Sequence, residues 1–365
     1  MNVCIIGDGL TSLSLAKNLI NKKINVHIYK KKIIKNLSSN RTIGISKSNF
    51  EFFKKEILDV PKKITWEIRK IEIYSQKIEK DKILNFENNK NNLFYLVKNE
   101  ELYKALDIKL MKSKFFKKKI IKQKNFYDWL LKKSTYDLII NCDQNNTISK
   151  KFFIKKIDKD YKNFAYTTIL EHKKTKNNTA IQVFTNLGPI AFLPISNSKT
   201  SVVCSLDFKN KNYSNGEILS LIKKYNPKFK IKKILKISSF ELRSSNLRNY
   251  YHKNILAFGD MLHRIHPLAG QGFNMSIRDI KAFSEIIQNK IDLGLNLDNS
   301  ILEEFQKKTK NKNFIFSSGI DFIYEFFKFE KKTKGKNLNR ILKYFGANKI
   351  FMNSIIKLAD KGLNI

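Results

Sequence analysis

The chain has few cysteines and few acids, and it lacks a long apolar run. Its three cysteines, Cys4, Cys142 and Cys204, are odd in number, far apart and without metal-ligand spacing. That pattern argues against a disulfide framework or a thiolate metal site and predicts free thiols in a reducing compartment. Cys4 and Cys142 sit in apolar runs and read as small core residues. No uncharged apolar stretch approaches the ~18 residues a spanning helix needs. The N-terminus carries no basic region followed by a hydrophobic stretch and cleavage site, so the expected location is cytoplasmic. Acids number 32 against 71 Lys and Arg, a formal net charge of +39. Such a charge would suit nucleic acid or an anionic membrane. Yet the lysines are spread along the whole chain with Asn and Ile, and no finger or aromatic ribonucleoprotein run accompanies them, which argues against a nucleic-acid partner. No internal repeat is evident.

The 365 residues, 42% of them hydrophobic, are enough for one large or two moderate domains with a sizeable core. At the start, Asn2 to Ile6 reads as a strand, Gly7 to Ser12 as a turn, Leu13 to Asn21 as a helix and Ile24 to Tyr29 as a second strand. This is a dinucleotide-binding unit: Gly7 permits the tight turn, Gly9 lets a pyrophosphate approach the backbone, and the helix N-terminus favours its charge. Ser12 stands at the third glycine position and is small enough for close helix packing. Tyr136 to Cys142 is another buried parallel-type strand, with Asp143 at its carboxyl end, the edge where open α/β sheets bind ligands. From Tyr161 to Leu206 alternation predicts consecutive antiparallel strands, and Trp66 to Phe86 alternates likewise. Gly216 to Tyr225 reads as a helix and Ile234 to Leu242 as a strand.

The most informative stretch is Gly259 to Asn274, GDMLHRIHPLAGQGFN. It follows the apolar run Ile255 to Phe258 and leads into an amphipathic helix, Met275 to Ile287. A strand opening through Gly259 and Asp260 into a loop with Pro267, Gly270 and Gly272 lets a ligand approach the backbone. The following helix aims free amides at it.

Here the sequence resembles the aromatic-ring hydroxylases, single-component flavin monooxygenases of the para-hydroxybenzoate hydroxylase type. Their second flavin motif has the form GDAxHxxxPxxGQGxN, and Gly259, Asp260, His263, Pro267, Gly270, Gln271, Gly272 and Asn274 stand at the matching places. The form HPLAGQGFNMSIRD, with TAIQVFTNLGPIAFLPI upstream, is similar to the branch that hydroxylates ubiquinone precursors. The resemblance implies an α/β fold: a Rossmann-type FAD-binding domain with a mixed or parallel sheet (1–60, 93–160 and 250–300), an antiparallel-sheet substrate domain (61–92 and 161–249) and a helical C-terminal region (301–365). It implies bound FAD, with NAD(P)H and O2 as co-substrates and a polyprenyl phenol or quinone precursor hydroxylated through a flavin C4a hydroperoxide.

By the same resemblance, Asp260 would hold the ribityl chain, and the amides of Gly272, Phe273 and Asn274 would stabilise charge on the reduced ring. Pro267 would line the reacting face. Arg41 matches an arginine that reaches the flavin, or is a surface cation. Asn99 matches an amide near the cofactor, or caps a helix. Asp143 matches an acid that touches flavin and nicotinamide, or is a turn acid. His263 and His266 read as proton carriers or as packed and capping side chains. The chain departs from the family at three places. Lys30 stands where an acid usually binds the adenosine ribose, Ser12 replaces a glycine, and Gln144 replaces the Gly after Asp143. These motivate an alternative, a weakly FAD-binding scaffold of a quinone-biosynthesis complex; a prenyl-chain reductase or epoxidase of the same superfamily is another. Ile301 to Lys307 and Phe314 to Phe329 read as helices. The aromatic stripe of the second predicts core or interface packing, or a docking face for a partner or a prenylated substrate at a membrane. Residues 331–340 read as a charged loop.

Overall fold

A computed structural model describes residues 1–31, 41–75, 82–87, 92–123, 125–132, 135–207, 213–226, 229–266, 270–333 and 348–363. The chain begins with β1 (Asn2–Ile6), α1 (Leu10–Asn21) and β2 (Asn25–Lys31). Then come β3 (Thr42–Ser46), α2 (Lys47–Glu56), β4 (Thr65–Ile68), β5 (Lys70–Tyr74), β6 (Lys82–Glu87), β7 (Phe94–Lys98) and α3 (Asn99–Met111). The next elements are β8 (Phe116–Ile121), α4 (Phe126–Lys132), β9 (Leu138–Asn141) and α5 (Thr147–Phe152). Four long strands follow, β10 (Lys156–His172), β11 (Thr179–Thr185), β12 (Gly188–Ser196) and β13 (Lys199–Asp207). After them come α6 (Asn215–Lys224), β14 (Ile231–Ile234), β15 (Ser238–Leu247), β16 (Tyr251–His252), β17 (Ile255–Ala257) and β18 (His263–Arg264). The helices α7 (Gln271–Asp292), α8 (Ser300–Thr333) and α9 (Lys349–Lys361) complete the chain.

The first sheet has the order β16-β17-β9-β1-β2-β8, parallel except for the edge pair β16–β17. Its inner strands are apolar without alternation because helices cover both faces: Val3, Cys4, Ile5 and Ile140 are fully buried. The apolar face of α7 (Ile277, Ile280, Phe283) joins that core. Phe258, Phe283 and Phe305 meet there with ring centroids 5.5 to 6.0 Å apart, so α8 locks α7 onto the end of β17.

A second, nine-stranded sheet runs β18-β15-β10-β13-β12-β11-β5-β6, with β14 on β10. It is antiparallel except where β11 pairs β5. A third small sheet, β3-β7-β4, bridges the other two. Trp66 thus belongs to β4 and pairs with β7, while β5 and β6 enter the large sheet.

The C-terminal region differs from the expectation of two helices. The polar run Lys307 to Asn313 contains neither Gly nor Pro, and α8 passes through it unbroken for 34 residues. Its aromatic stripe is divided: Ile320 is buried, whereas Phe322 is 69% and Ile323 44% exposed. The side chains of Phe327 and Phe329, and all of 334–340, lie outside the described residues. The thiols are free, and burial pushes those of Cys142 and Cys204 up to about 12.

Candidate active site

The parallel sheet delivers three loops to one place. β1 ends at Ile6, and Gly7, at φ +106, turns the chain into α1. A Cβ on Gly7 would lie 3.5 Å from the Cβ of Cys142, so this turn and the end of β9 touch. β17 ends in a short 3-10 turn, Gly259–Met261. Gly259 has φ +67, and a Cβ there would meet Thr11 Cγ2 at 2.9 Å. The GD loop therefore rests on the first turn of α1. Gln144, in place of the family's glycine, donates from Nε2 to the backbone oxygen of Asp260 and ties the β9 loop to the same turn.

Two helices open here without side-chain caps. α1 starts after Gly9 and α7 after Gly270, whose φ of +64 only glycine adopts readily. Neither first turn carries an acid or a capping hydroxyl, so their leading amides and dipoles face the space between them. Asn274 fixes the start of α7. Its Oδ1 accepts from Ser46 N (2.9 Å) and Asn49 Nδ2 (3.1 Å), and its Nδ2 donates to Gly44 O (2.9 Å) and Gly270 O (3.2 Å). From the other side Asp360 of α9 accepts from Ser48 N and from the hydroxyls of Ser46 and Ser48, closing the C-terminal helix against α2.

These elements enclose a cavity of about 1770 Å³. That exceeds the ~300–1,000 Å³ of an ordinary single-ligand pocket, leaving room for a dinucleotide and a second molecule. Of the expected site residues, Gly7, Gly9, Ser12, Arg41, Asn99, Asp143, Asp260, His263, Gly270, Gly272, Phe273 and Asn274 all line it. Gly259 does not; it packs behind, on Thr11. Pro267 lies outside the described residues. Asn99 is the first residue of α3, one position inside the cap at Lys98. The end near Gly7 to Gly9 is polar. The opposite wall is apolar, from Ile71, Phe86, Phe94, Leu193, Phe184 and Ile320.

The histidines are packed side chains. His263 is buried, its Nε2 bonded to the Asp279 carboxylate, which also accepts from Asn313 Nδ2 at 2.9 Å, and its Nδ1 has no hydrogen-bond partner among the described residues. His266 stacks on Tyr324 (4.4 Å) and meets Tyr161 edge-on (4.9 Å). Burial, with Lys159 nearby, lowers its imidazole to about 3, so it is neutral. Sequence reasoning missed Asp8, Thr11, Gln144's bond, Asp279 and Asp360. Only Asp8, inside the glycine turn, carried a local signal.

This donor set fits FAD: glycine approach and amides at the diphosphate end, Asp260 beside them, and a second helix N-terminus at the far side of the space. Among the described residues no cluster of His, Cys, Asp and Glu could hold a metal, and no helix is long and apolar enough to cross a membrane.

Residues 154–291 match the family described as FAD binding domain. The ubiquinone biosynthesis monooxygenase COQ6, mitochondrial, of Dictyostelium discoideum is 27% identical over 241 residues, 52% of this chain and 49% of that protein. The 3-demethoxyubiquinol 3-hydroxylase of Escherichia coli (strain K12) is 30% identical over 149 residues, 39% of this chain and 38% of that protein. The chain thus spans about half the length of the first relative and less of the second. Among solved structures, p-nitrophenol 4-monooxygenase PnpA from Pseudomonas putida DLL-E4 superposes with a TM-score of 0.77 at 13% identity, covering 99% of this chain and 98% of that one. A single-substitution variant of Klebsiella pneumoniae HpxO complexed with FAD gives 0.73 at 11%, covering 98% of both. The fold is that of the FAD-dependent aromatic hydroxylases. In sequence the chain is homologous, over about half its length or less, to proteins named as ubiquinone biosynthesis monooxygenase and 3-demethoxyubiquinol 3-hydroxylase.

Proposed function

We propose that the protein is an FAD-dependent monooxygenase that hydroxylates the aromatic ring of a polyprenylated ubiquinone precursor, with O2 and NAD(P)H as co-substrates. The observation that carries this reading is the joining of two uncapped helix N-termini and an apolar wall in one cavity. Bound FAD would supply the redox chemistry and oxygen activation. The chain's part is binding, orientation and water exclusion. Gly7, Gly9 and the α1 amides receive the diphosphate, Asp260 accepts from the ribityl hydroxyls, and the amides of Gly272 to Asn274 favour negative charge on the ring system. Ile71, Phe86, Phe94 and Leu193 keep water from the ring to be hydroxylated. The apolar lining continues through Phe322, Ile323, Phe351 and Leu358 of α8 and α9, which suits a prenyl tail and contact with a membrane surface.

On this reading the protein purifies yellow, or turns yellow with added FAD, and oxidises NAD(P)H when a polyprenyl phenol is present. A colourless protein that ignores added FAD would sink it. The departures at Lys30, Ser12 and Gln144 favour a second reading, a weakly FAD-binding scaffold of a quinone-biosynthesis complex. Asp260→Ala separates the two: quinone synthesis fails in cells carrying it if the protein is catalytic and persists if it is a scaffold.

A further inference from the structure

Where the resembled family has a ribose-binding acid, β2 here ends in two lysines, and both reach carboxylates on neighbouring loops. Lys30 Nζ is 3.8 Å from Asp8 Oδ2, inside the glycine turn, and Tyr103 donates its hydroxyl to the same oxygen at 3.2 Å. Lys31 Nζ is 2.9 Å from Asp143 Oδ2 and donates to Asn145 O at 3.1 Å. In the sheet β1 lies between β2 and β9, so the Lys31–Asp143 pair passes over the turn that joins β1 to α1. All four charged side chains line the cavity, each partly exposed.

Two carboxylates at the mouth of a diphosphate site would repel the ligand unless neutralised. Pairs this exposed hold weakly, so their cations are free to change partner. A diphosphate offers a better one, since charge-assisted bonds to it add to the field of the α1 amides.

Resting on the FAD reading above, we infer that Lys30 and Lys31 replace the ribose-binding acid as cationic ligands of the dinucleotide's diphosphate–ribose segment, exchanging Asp8 and Asp143 for it when it binds. Recognition at this end is then electrostatic and weakens as salt is added. The sequence departure at Lys30 is a changed mode of binding rather than a lost one.

The test titrates the full chain with FAD and, separately, with riboflavin, following flavin fluorescence at low and high salt. Lys30→Gln and Lys31→Gln should each weaken FAD roughly tenfold or more and flatten its salt dependence, leaving riboflavin unchanged. Lys30→Glu, which restores the family's acid, should weaken FAD further. Asp8→Asn, which frees Lys30, should bind FAD at least as tightly as the wild type. Lysine variants that bind FAD as tightly as the wild type, that lose both flavins alike, or a Lys30→Glu that binds better overturn the inference alone, as does weakened FAD binding by Asp8→Asn. A wild-type chain that binds neither flavin overturns the FAD reading and this inference with it.

Discussion

Replacing Gly259 by alanine separates two physical costs at the joint between the GD loop and α1. The backbone at φ +67 is left-handed, which costs a residue with a Cβ about 1–2 kcal/mol. The new methyl would also stand 2.9 Å from Thr11 Cγ2 and 3.2 Å from Thr11 Cβ. Turning the Thr11 side chain relieves the first contact and not the second, so overpacking adds ~1–3 kcal/mol. Gly259→Ala should therefore lower stability by ~2–5 kcal/mol. Urea unfolding of FAD-free protein reads it as a lower midpoint at unchanged slope, without the mass-action stabilisation a bound ligand would add. In a double-mutant cycle, Thr11→Ser deletes the Cγ2 methyl and should recover about 1 kcal/mol while leaving the left-handed cost in place. A loss below ~0.5 kcal/mol for Gly259→Ala, within the range of an ordinary surface change, would refute the argument that this loop is seated on α1. So would a Thr11→Ser background that recovers nothing.

Asn274→Ala removes four bonds, two to β3, one to Asn49 of α2 and one to Gly270, and leaves Ser46 N and Gly44 O without theirs, so unfolding stability should fall by ~3 kcal/mol or more; an unchanged midpoint would contradict the clamp. Acid sensitivity should have a component from His266. Its folded pKa is depressed to about 3 by burial, so below ~6.5 the unfolded chain takes up a proton the folded one refuses. That stability is present above ~6.5 and is lost as the pH falls toward 3, and His266→Phe should lose less stability than the wild type across the window. On α8, Ile320→Ser should cost ~2 kcal/mol or more and Phe322→Ser stay within ~0.5 kcal/mol, because the first side chain is 7% exposed and the second 69%. Equal thermal shifts would show that the stripe is not divided as described.

What is legible in the sequence is what depends on near neighbours. Gly7, Gly259 and Gly270 are each required by a turn, and the apolar runs ending at Ile6 and Asn141 announce buried parallel strands. The antiparallel strands from Tyr161 to Leu206 can be read because their alternation is local too. Pairings across the chain cannot. Asn274 reaches back 228 residues to Ser46, Gln144 forward 116 to Asp260, and Asp360 back 314 to Ser46; none leaves a periodic trace. The continuity of α8 escapes a sequence reading because its polar segment looks like a boundary, although no helix breaker lies within it.

The lysine excess shows the same division. In composition it reads as a uniform bias, since Lys and Arg are spread through the whole chain. In the fold, β2 and β8 are adjacent parallel strands, and both carry lysines toward the sheet edge where the glycine turn lines the cavity. Lys118 is held by Asp107 (2.7 Å) and Tyr103 (3.0 Å), and Lys119 lies over the Tyr29 ring, 5.5 Å from its centroid. Tyr103 passes that contact on to Asp8, which Lys30 also meets. The cations of β8 thus brace the aromatic and acidic groups behind the turn, while those of β2 line the cavity itself. A bias with no sequence pattern becomes directional because parallel strands align their ends, which sets Lys30 and Lys31 against Asp8 and Asp143 at the edge where open α/β sheets bind ligands.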